Sequence, residues 1–314
     1  MSKPNLLAIG DFYDWDMQAM EEEFTILRLE SDMAPGDFSR DVRDATKYAA
    51  RIFHRDVGND VFDAFPNLEI VANYGVGYDG IDADEAAKRG IAVTNTPDVL
   101  TDDVADQAVL MLMSYLRDSH GAETYMRAGK WPEAGYPLQR SLGAGKAGII
   151  GLGRIGTAIA HRLAASGCDI AYFARSKKPS PDSWTHHFDL TDLARDVDYL
   201  INVLPGGPET DDMINRGVLE ALGPEGVFVN IGRGSSVDEE ALFEVLKSGK
   251  IHGAALDVFK NEPNVDKRFF DFENVLLQPH AASATVETRK AMGKMMRDNL
   301  SAAHQGMPLL SQVN

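Results

Sequence analysis

Reactive sulfur is almost absent from this chain. It has one cysteine, Cys168, so no intrachain disulfide is available. That cysteine sits in Ala165-Ser166-Gly167-Cys168-Asp169, between a helical stretch and a strand, and reads as a small buried thiol rather than a nucleophile. Long apolar runs are also missing. A membrane span needs roughly 18–20 apolar residues; the most apolar helix-like stretch, 108–116, is too short and is flanked by Asp106 and Arg117. The opening Met1-Ser2-Lys3-Pro4 leads straight into an apolar strand at 6–9 without the apolar core of a signal peptide, so the expected compartment is the cytoplasm, with no membrane partner. Positive charge is scarce too: 31 Lys and Arg face 48 Asp and Glu, a net charge of −17. Such a chain repels phosphate backbones, which argues against nucleic acid as a partner. An anionic substrate must then be captured by local cations or backbone amides, because the overall field opposes it.

What is present is ordinary globular material. The chain is 44% hydrophobic and 25% charged over 314 residues, enough for one large or two ordinary domains. No internal repeat or low-complexity segment interrupts it. In the first hundred residues short apolar runs at 6–9, 49–53, 70–73 and 91–95 read as strands between polar helical stretches. Pro97 and Asp98 mark a break, and 101–116 has helical spacing with apolar positions at Val104, Ala105, Ala108, Val109, Leu112 and Leu116. A looser stretch covers 129–140. Strands are then expected at 147–150, 170–173, 199–204, 227–231, 253–258 and 275–277, with helices at 157–165, 190–197, 239–248 and 284–305. Strands alternating with helices predict an α/β protein of two Rossmann-like, doubly wound parallel-sheet domains. The expected boundaries are 1–98 plus 284–314 for a substrate-binding domain and 99–283 for a dinucleotide-binding domain.

The strongest motif is Gly151-Leu152-Gly153-Arg154-Ile155-Gly156, after an apolar strand and before a helix. The first glycine permits the tight turn, the second lets backbone amides approach a pyrophosphate, and the third lets helix pack on strand. Leu152, Gly153, Arg154, Ile155 and Gly156 are therefore expected cofactor contacts. An acidic residue usually ends the next strand in proteins that take NAD. Here the chain reads Ala174-Arg175-Ser176-Lys177-Lys178, with no carboxylate. A 2′-phosphate would meet charge-assisted donors there, which favours NADP(H) over NAD(H) and assigns Ala174, Arg175 and Ser176 to the cofactor.

Three further residues follow strands in the same half: Arg233, Glu262 and His280. Ligands bind beyond the carboxyl ends of strands in open α/β sheets. A guanidinium can clamp a carboxylate, a histidine can deliver a proton to a carbonyl oxygen, and a carboxylate beside that histidine orients it and favours its protonated form. The pattern suits reduction of a 2-keto acid. The pair His186-His187 lies on a strand, where neighbouring side chains point to opposite faces, so no metal site is expected. Met292, Met295 and Met296 have helical spacing and read as core.

Gly151 to Gly156, Asn230-Ile-Gly-Arg-Gly234, Ala255-Leu-Asp-Val258 with Glu262-Pro263, and Pro279-His280-x-x-Ser283 together resemble the D-isomer-specific 2-hydroxyacid dehydrogenases. The resemblance extends over nearly the whole chain. It implies that Arg233 binds substrate, that Glu262 assists His280, and that His280 is the acid/base. It further implies that Asp257 lines the nicotinamide or its ribose and that Ile231 contacts the cofactor. The backbone of Val76 and Gly77 would anchor the substrate carboxylate and Leu100 would wall the pocket. A homodimer is implied, with 101–140 as most of the contact, and so is an active-site cleft between the two domains. Thr-Pro-Asp-Val-Leu-Thr-Asp-Asp-Val-Ala-Asp (96–106) and Leu-Pro-Gly-Gly-Pro-Glu-Thr (204–210) resemble the NADPH-dependent glyoxylate/hydroxypyruvate and hydroxyphenylpyruvate reductases of that family. A non-catalytic dinucleotide sensor, or a relative oxidising formate or phosphite, remains as an alternative; the presence of Arg233, Glu262 and His280 argues against the sensor, and the basic turn at 174–178 argues for NADPH and so for reduction.

Overall fold

The computed structural model describes residues 3–53 and 55–314, with Ala144 described by its backbone alone. Met1 and Ser2, where the N-terminal expectation begins, lie outside the described residues. The chain forms two compact units, Met1–Leu100 with Ala284–Asn314, and Thr101–Ser283.

The first unit is built on β1 (Asn5–Ile9), β2 (Thr25–Leu29), β3 (Thr46–Ile52), β4 (Ile70–Tyr74) and β5 (Ala92–Thr94), in the order β2-β1-β3-β4-β5 with every neighbour parallel. Its central strands are nearly continuous apolar runs because both faces are covered: Leu6, Leu7, Ile9, Ala49, Ala50, Val71 and Ala72 are all buried. The edge strand β2, Thr-Ile-Leu-Arg-Leu, buries only Leu29 and so carries little periodic signal. The helix Val286–His304 packs against β4 and against the helix Asp14–Glu23, with Met292 and Met296 buried and Met295 half-buried. The chain end then closes on β5, where the Val313 N–H donates to the Val93 carbonyl (2.9 Å).

The second unit holds β6 (Lys146–Ile150), β7 (Asp169–Phe173), β8 (Thr185–His187), β9 (Tyr199–Asn202), β10 (Val227–Asn230), β11 (Gly253–Leu256) and β12 (Val275–Leu277). The order is β12-β11-β10-β9-β6-β7-β8, again all parallel. Strand order reverses between β6 and β9, the place where open parallel sheets take a dinucleotide. Buried Phe228, Leu246, Phe243 and Phe269 belong to its core. The helix Thr101–Leu116 packs on the helix Arg154–Ala165, and Arg162 ties the two together through Asp102 (2.9 Å) and Asp106 (2.6 Å). Among the described residues no helix is long and apolar enough to cross a membrane.

The helix after the glycine loop starts at Arg154, not at residue 157 as its apolar spacing suggests, so Arg154, Ile155 and Gly156 form its first turn. Helices at Ser119–Arg127 and Arg216–Leu222 have no counterpart in the sequence expectations. The first is amphipathic but buries no residue, and the second is only seven residues long.

Candidate active site

The glycine loop has the geometry its sequence implies. Gly151 has φ +95°, a left-handed conformation that a side chain would strain. A Cβ on Gly153 would meet nothing within 4 Å, so the backbone there is open to a ligand. A Cβ on Gly156 would lie 2.1 Å from the Gly151 carbonyl and 3.1 Å from Ile149, so only glycine lets the helix sit this close to β6. The Thr157 N–H donates back to the Gly153 carbonyl (2.9 Å), which leaves the earlier N–H groups of the turn without intrahelical acceptors. A pyrophosphate fits that cradle.

At the end of β7, Ala174 is buried while Arg175, Ser176, Lys177 and Lys178 are exposed. The Arg175 guanidinium pairs with Glu209 (2.8 Å), a residue of the loop after β9. Both side chains are more than four-fifths exposed, so the pair contributes little to stability and separates readily. Glu209 lies inside a segment already notable in the sequence, yet nothing local announces that its carboxylate reaches Arg175.

Arg233, Glu262 and His280 do come together. His280 follows β12, has φ +51°, and turns its ring so that the Nδ1–H donates to Glu262 Oε2 (2.6 Å). A carboxylate can only accept, which fixes the tautomer and leaves Nε2 as the outward nitrogen. The other Glu262 oxygen accepts from the Phe259 N–H (2.9 Å). Burial pushes the Glu262 carboxyl up, but the hydrogen bond and charge of His280, the Phe259 N–H and the charge of Arg233 outweigh it and hold the group below its ordinary value. Arg233 is half-buried just past β10, where its carbonyl accepts from Ser236 Oγ (2.7 Å) and Asn230 Nδ2 (3.2 Å). Asn230 is bonded in turn by Asn202 (2.8 Å), so buried amides at the ends of β9 and β10 set the Arg233 turn.

Asp257 is fully buried. Its two carboxylate oxygens accept from the N–H groups of Ala281 (2.8 Å) and Ala282 (3.1 Å), and its carbonyl accepts from the His280 N–H (2.8 Å). Burial raises its carboxyl value and those N–H groups oppose the rise. Its observed contacts therefore hold the histidine loop, a role the sequence did not suggest. Leu152 and Ile231 are buried, leaving mainly their backbones to meet a ligand.

In the first unit, Val76 and Gly77 lie in the half-buried loop after β4, and Leu100 is buried. Cys168 is buried beside the Leu142 carbonyl, and desolvation pushes its thiol up to about 11, which suits an inert group. His186 Nε2 bonds the Ala174 carbonyl and His187 Nε2 bonds Asp196 (2.9 Å each). The apolar face of Thr101–Leu116 is used inside the second unit, where Val104, Ala105, Ala108, Met111, Leu112 and Leu116 are buried. The apolar groups of the 101–140 stretch left exposed are a different set: Leu110, Met113, Met126, Trp131 and Leu138.

A glycine cradle at the reversal of a parallel sheet, with an arginine, a glutamate and a histidine at neighbouring strand ends, defines a dinucleotide-dependent oxidoreductase. Residues 109–282 match the family model for the D-isomer specific 2-hydroxyacid dehydrogenase, NAD binding domain. The chain is 43% identical over 298 residues to a hydroxyphenylpyruvate reductase of Plectranthus scutellarioides, covering 94% of each. It is 43% identical to a 2-ketogluconate reductase of Gluconobacter oxydans, covering 99% of each. Among solved structures, an NADPH-dependent glyoxylate/hydroxypyruvate reductase from Sinorhizobium meliloti, in complex with NADP and malonate, superimposes with a TM-score of 0.94 at 45% identity, over 99% of this chain and 97% of that one. The chain belongs to the D-isomer-specific 2-hydroxyacid dehydrogenase family and is an enzyme of that class.

The depressed Glu262 value has a consequence for stability. Its ionised form favours folding. That contribution is complete above the unfolded-chain value of roughly 4.3 and is lost as pH falls through the lower folded value. Glu262→Gln should lower the urea midpoint near neutral pH, and its gap to the parent should narrow as pH is taken from about 5 to about 3. A gap that stays constant over that range would contradict the assignment.

Proposed function

We propose that this enzyme reduces a small 2-keto acid of the glyoxylate/hydroxypyruvate type to the D-2-hydroxy acid, with NADPH as the preferred hydride donor. The observation that carries the reading is the 2.6 Å bond from His280 Nδ1 to Glu262 with the Arg233 charge acting on the same carboxylate. A bound nicotinamide supplies the hydride. Leu152, Gly153, Arg154, Ile155 and Gly156 would hold its pyrophosphate, with Ile231 and Asp257 beside the nicotinamide end and Ala174, Arg175 and Ser176 at the adenosine ribose. Arg233 clamps the substrate carboxylate and polarises the neighbouring carbonyl. The His280 Nε2–H protonates the carbonyl oxygen while Glu262 stabilises the charged ring. In the first unit, the Val76 and Gly77 amides take a carboxylate oxygen, and Leu100 excludes water. Residues 1–98 with 284–314 thus serve substrate, and 99–283 serve the cofactor.

The name of the Sinorhizobium meliloti relative supports this substrate class, and the absence of a carboxylate between Ala174 and Lys178 supports NADPH. An aryl pyruvate is the second reading. It is favoured by the rings at the carboxyl ends of β1, β3 and β4: Phe12 and Phe53 each lie 6.4 Å from Tyr74, and Tyr13 stacks on Trp15 at 4.6 Å. The exposed Leu110, Met113, Met126, Trp131 and Leu138 fit burial against a second copy.

Absorbance of NADPH with a panel of glyoxylate, hydroxypyruvate and aryl pyruvates should show oxidation, fastest with the small acids. Turnover of none of them would leave the dinucleotide-sensor reading standing. His280→Ala should lower kcat by about 10²–10⁴-fold and leave the NADPH Kd unchanged. Arg175→Ala should weaken NADPH at least tenfold more than NADH; equal effects on both would refute the phosphate clamp. Light scattering should return twice the 34.3 kDa chain mass, and the chain mass itself would refute the dimer.

A further inference from the structure

The loop after β4 is held in an unusual way. Asn73 is 1% exposed and sits directly opposite Arg51 in the β3–β4 register. Arg51 is itself buried and donates from Nη1 to Asn73 Oδ1 (2.9 Å) and from Nε to the Arg55 carbonyl (2.8 Å). Because a guanidinium can only donate, the Asn73 oxygen must face it, and the amide nitrogen must face the other way. Both of its hydrogens are used there. Asn73 Nδ2 donates to the Gly75 carbonyl (3.1 Å) and to the Gly77 carbonyl (2.9 Å). The carbonyl between them, that of Val76, accepts from Asn95 Nδ2 (2.9 Å). The Thr96 N–H adds a second bond to Gly75 (2.9 Å).

Three consecutive carbonyls are thus fixed by side-chain amides. A trans peptide holds its N–H opposite its carbonyl. Fixing the Gly75 carbonyl therefore aims the Val76 N–H away from Asn73, and fixing the Val76 carbonyl aims the Gly77 N–H away from Asn95. Among the described residues neither N–H meets a hydrogen-bond partner, although the loop is half-buried. Successive outward N–H groups make an anion-binding concavity.

We infer that Asn73, locked by Arg51, is the positioning residue that presents the Val76 and Gly77 amides to the substrate carboxylate. This rests on the reading that those amides bind that carboxylate. Asn73 itself touches no substrate; it acts through two peptide planes. Asparagine suits the place because it alone offers one acceptor to Arg51 and two donors to the loop at this reach. Aspartate keeps the shape and the acceptor but sets an oxygen against two carbonyl oxygens.

The test uses oxamate, a non-reducible mimic of a 2-keto acid, with the enzyme saturated in NADPH. In the parent protein, oxamate should shift the amide resonances of Val76 and Gly77. Asn73→Asp should raise the oxamate Kd and the hydroxypyruvate KM at least tenfold, with the NADPH Kd within twofold of the parent. Arg51→Lys, which keeps one donor to Asn73, should raise KM by less and serves if Asn73→Asp does not fold. The keto amide of the same substrate keeps an acceptor oxygen but lacks the carboxylate charge, and its kcat/KM should fall less than that of the acid in either variant, whereas a merely structural loss would lower both alike. If the two resonances do not move in the parent protein, the amide-anchor reading itself is wrong. If they move but a folded Asn73→Asp or Arg51→Lys enzyme binds oxamate as the parent does, the positioning role alone is overturned.

Discussion

Three consecutive backbone N–H groups rest on one buried aspartate, and the placement of the imidazole depends on them. The His280 N–H bonds the Asp257 carbonyl, and the N–H groups of Ala281 and Ala282 bond its carboxylate. A carboxylate taken fully out of water needs such donors, since nothing else in the interior replaces its hydration. The loop in turn needs the carboxylate, because His280 is held at φ +51°, where a residue with a Cβ costs about 1–2 kcal/mol. The left-handed turn brings Nδ1 onto Glu262. Without Asp257 the loop would have no reason to keep that conformation, and the outward Nε2 would lose its fixed direction.

The same logic recurs at the neighbouring strand ends. The buried side-chain amides at these strand ends bond one another and the turns that follow. Asn202 bonds Asn230 and Ser236 and accepts from the Leu204 N–H, and Asn230 reaches the carbonyl of Arg233. In the first unit Asn73 and Asn95 hold the loop after β4 in the same manner. Side-chain amides carry both a donor and an acceptor, so they can stiffen a turn without adding a buried charge. Rigid turns on parallel strands are the condition for placing reactive groups to within a fraction of an ångström.

Much of this was legible in the sequence. The glycine loop, Arg233, Glu262 and His280 stand at strand ends marked by glycine and proline, and local punctuation of that kind survives without knowledge of the fold. The central strands were legible as apolar runs because both sheet faces are covered. The edge strand Thr25–Leu29 was not, since it buries a single residue and shows no period. The helix start at Arg154 was hidden because its first turn contains a glycine and an exposed arginine rather than an apolar stripe. Pairings across the sheet were the least legible. Arg51 meets Asn73 only because β3 and β4 are neighbours in register, and Arg175 meets Glu209 only because the loops after β7 and β9 share an edge. No spacing along the chain encodes either contact.

The fate of the hydride tests the account most directly. NADPH carrying deuterium at both C4 positions, incubated with hydroxypyruvate, should give glycerate with one deuterium on C2 and the D configuration, read by mass spectrometry after chiral separation. Glycerate without the label, or of the L configuration, would contradict the proposal that hydride is delivered to a keto acid oriented by Arg233 and protonated by His280.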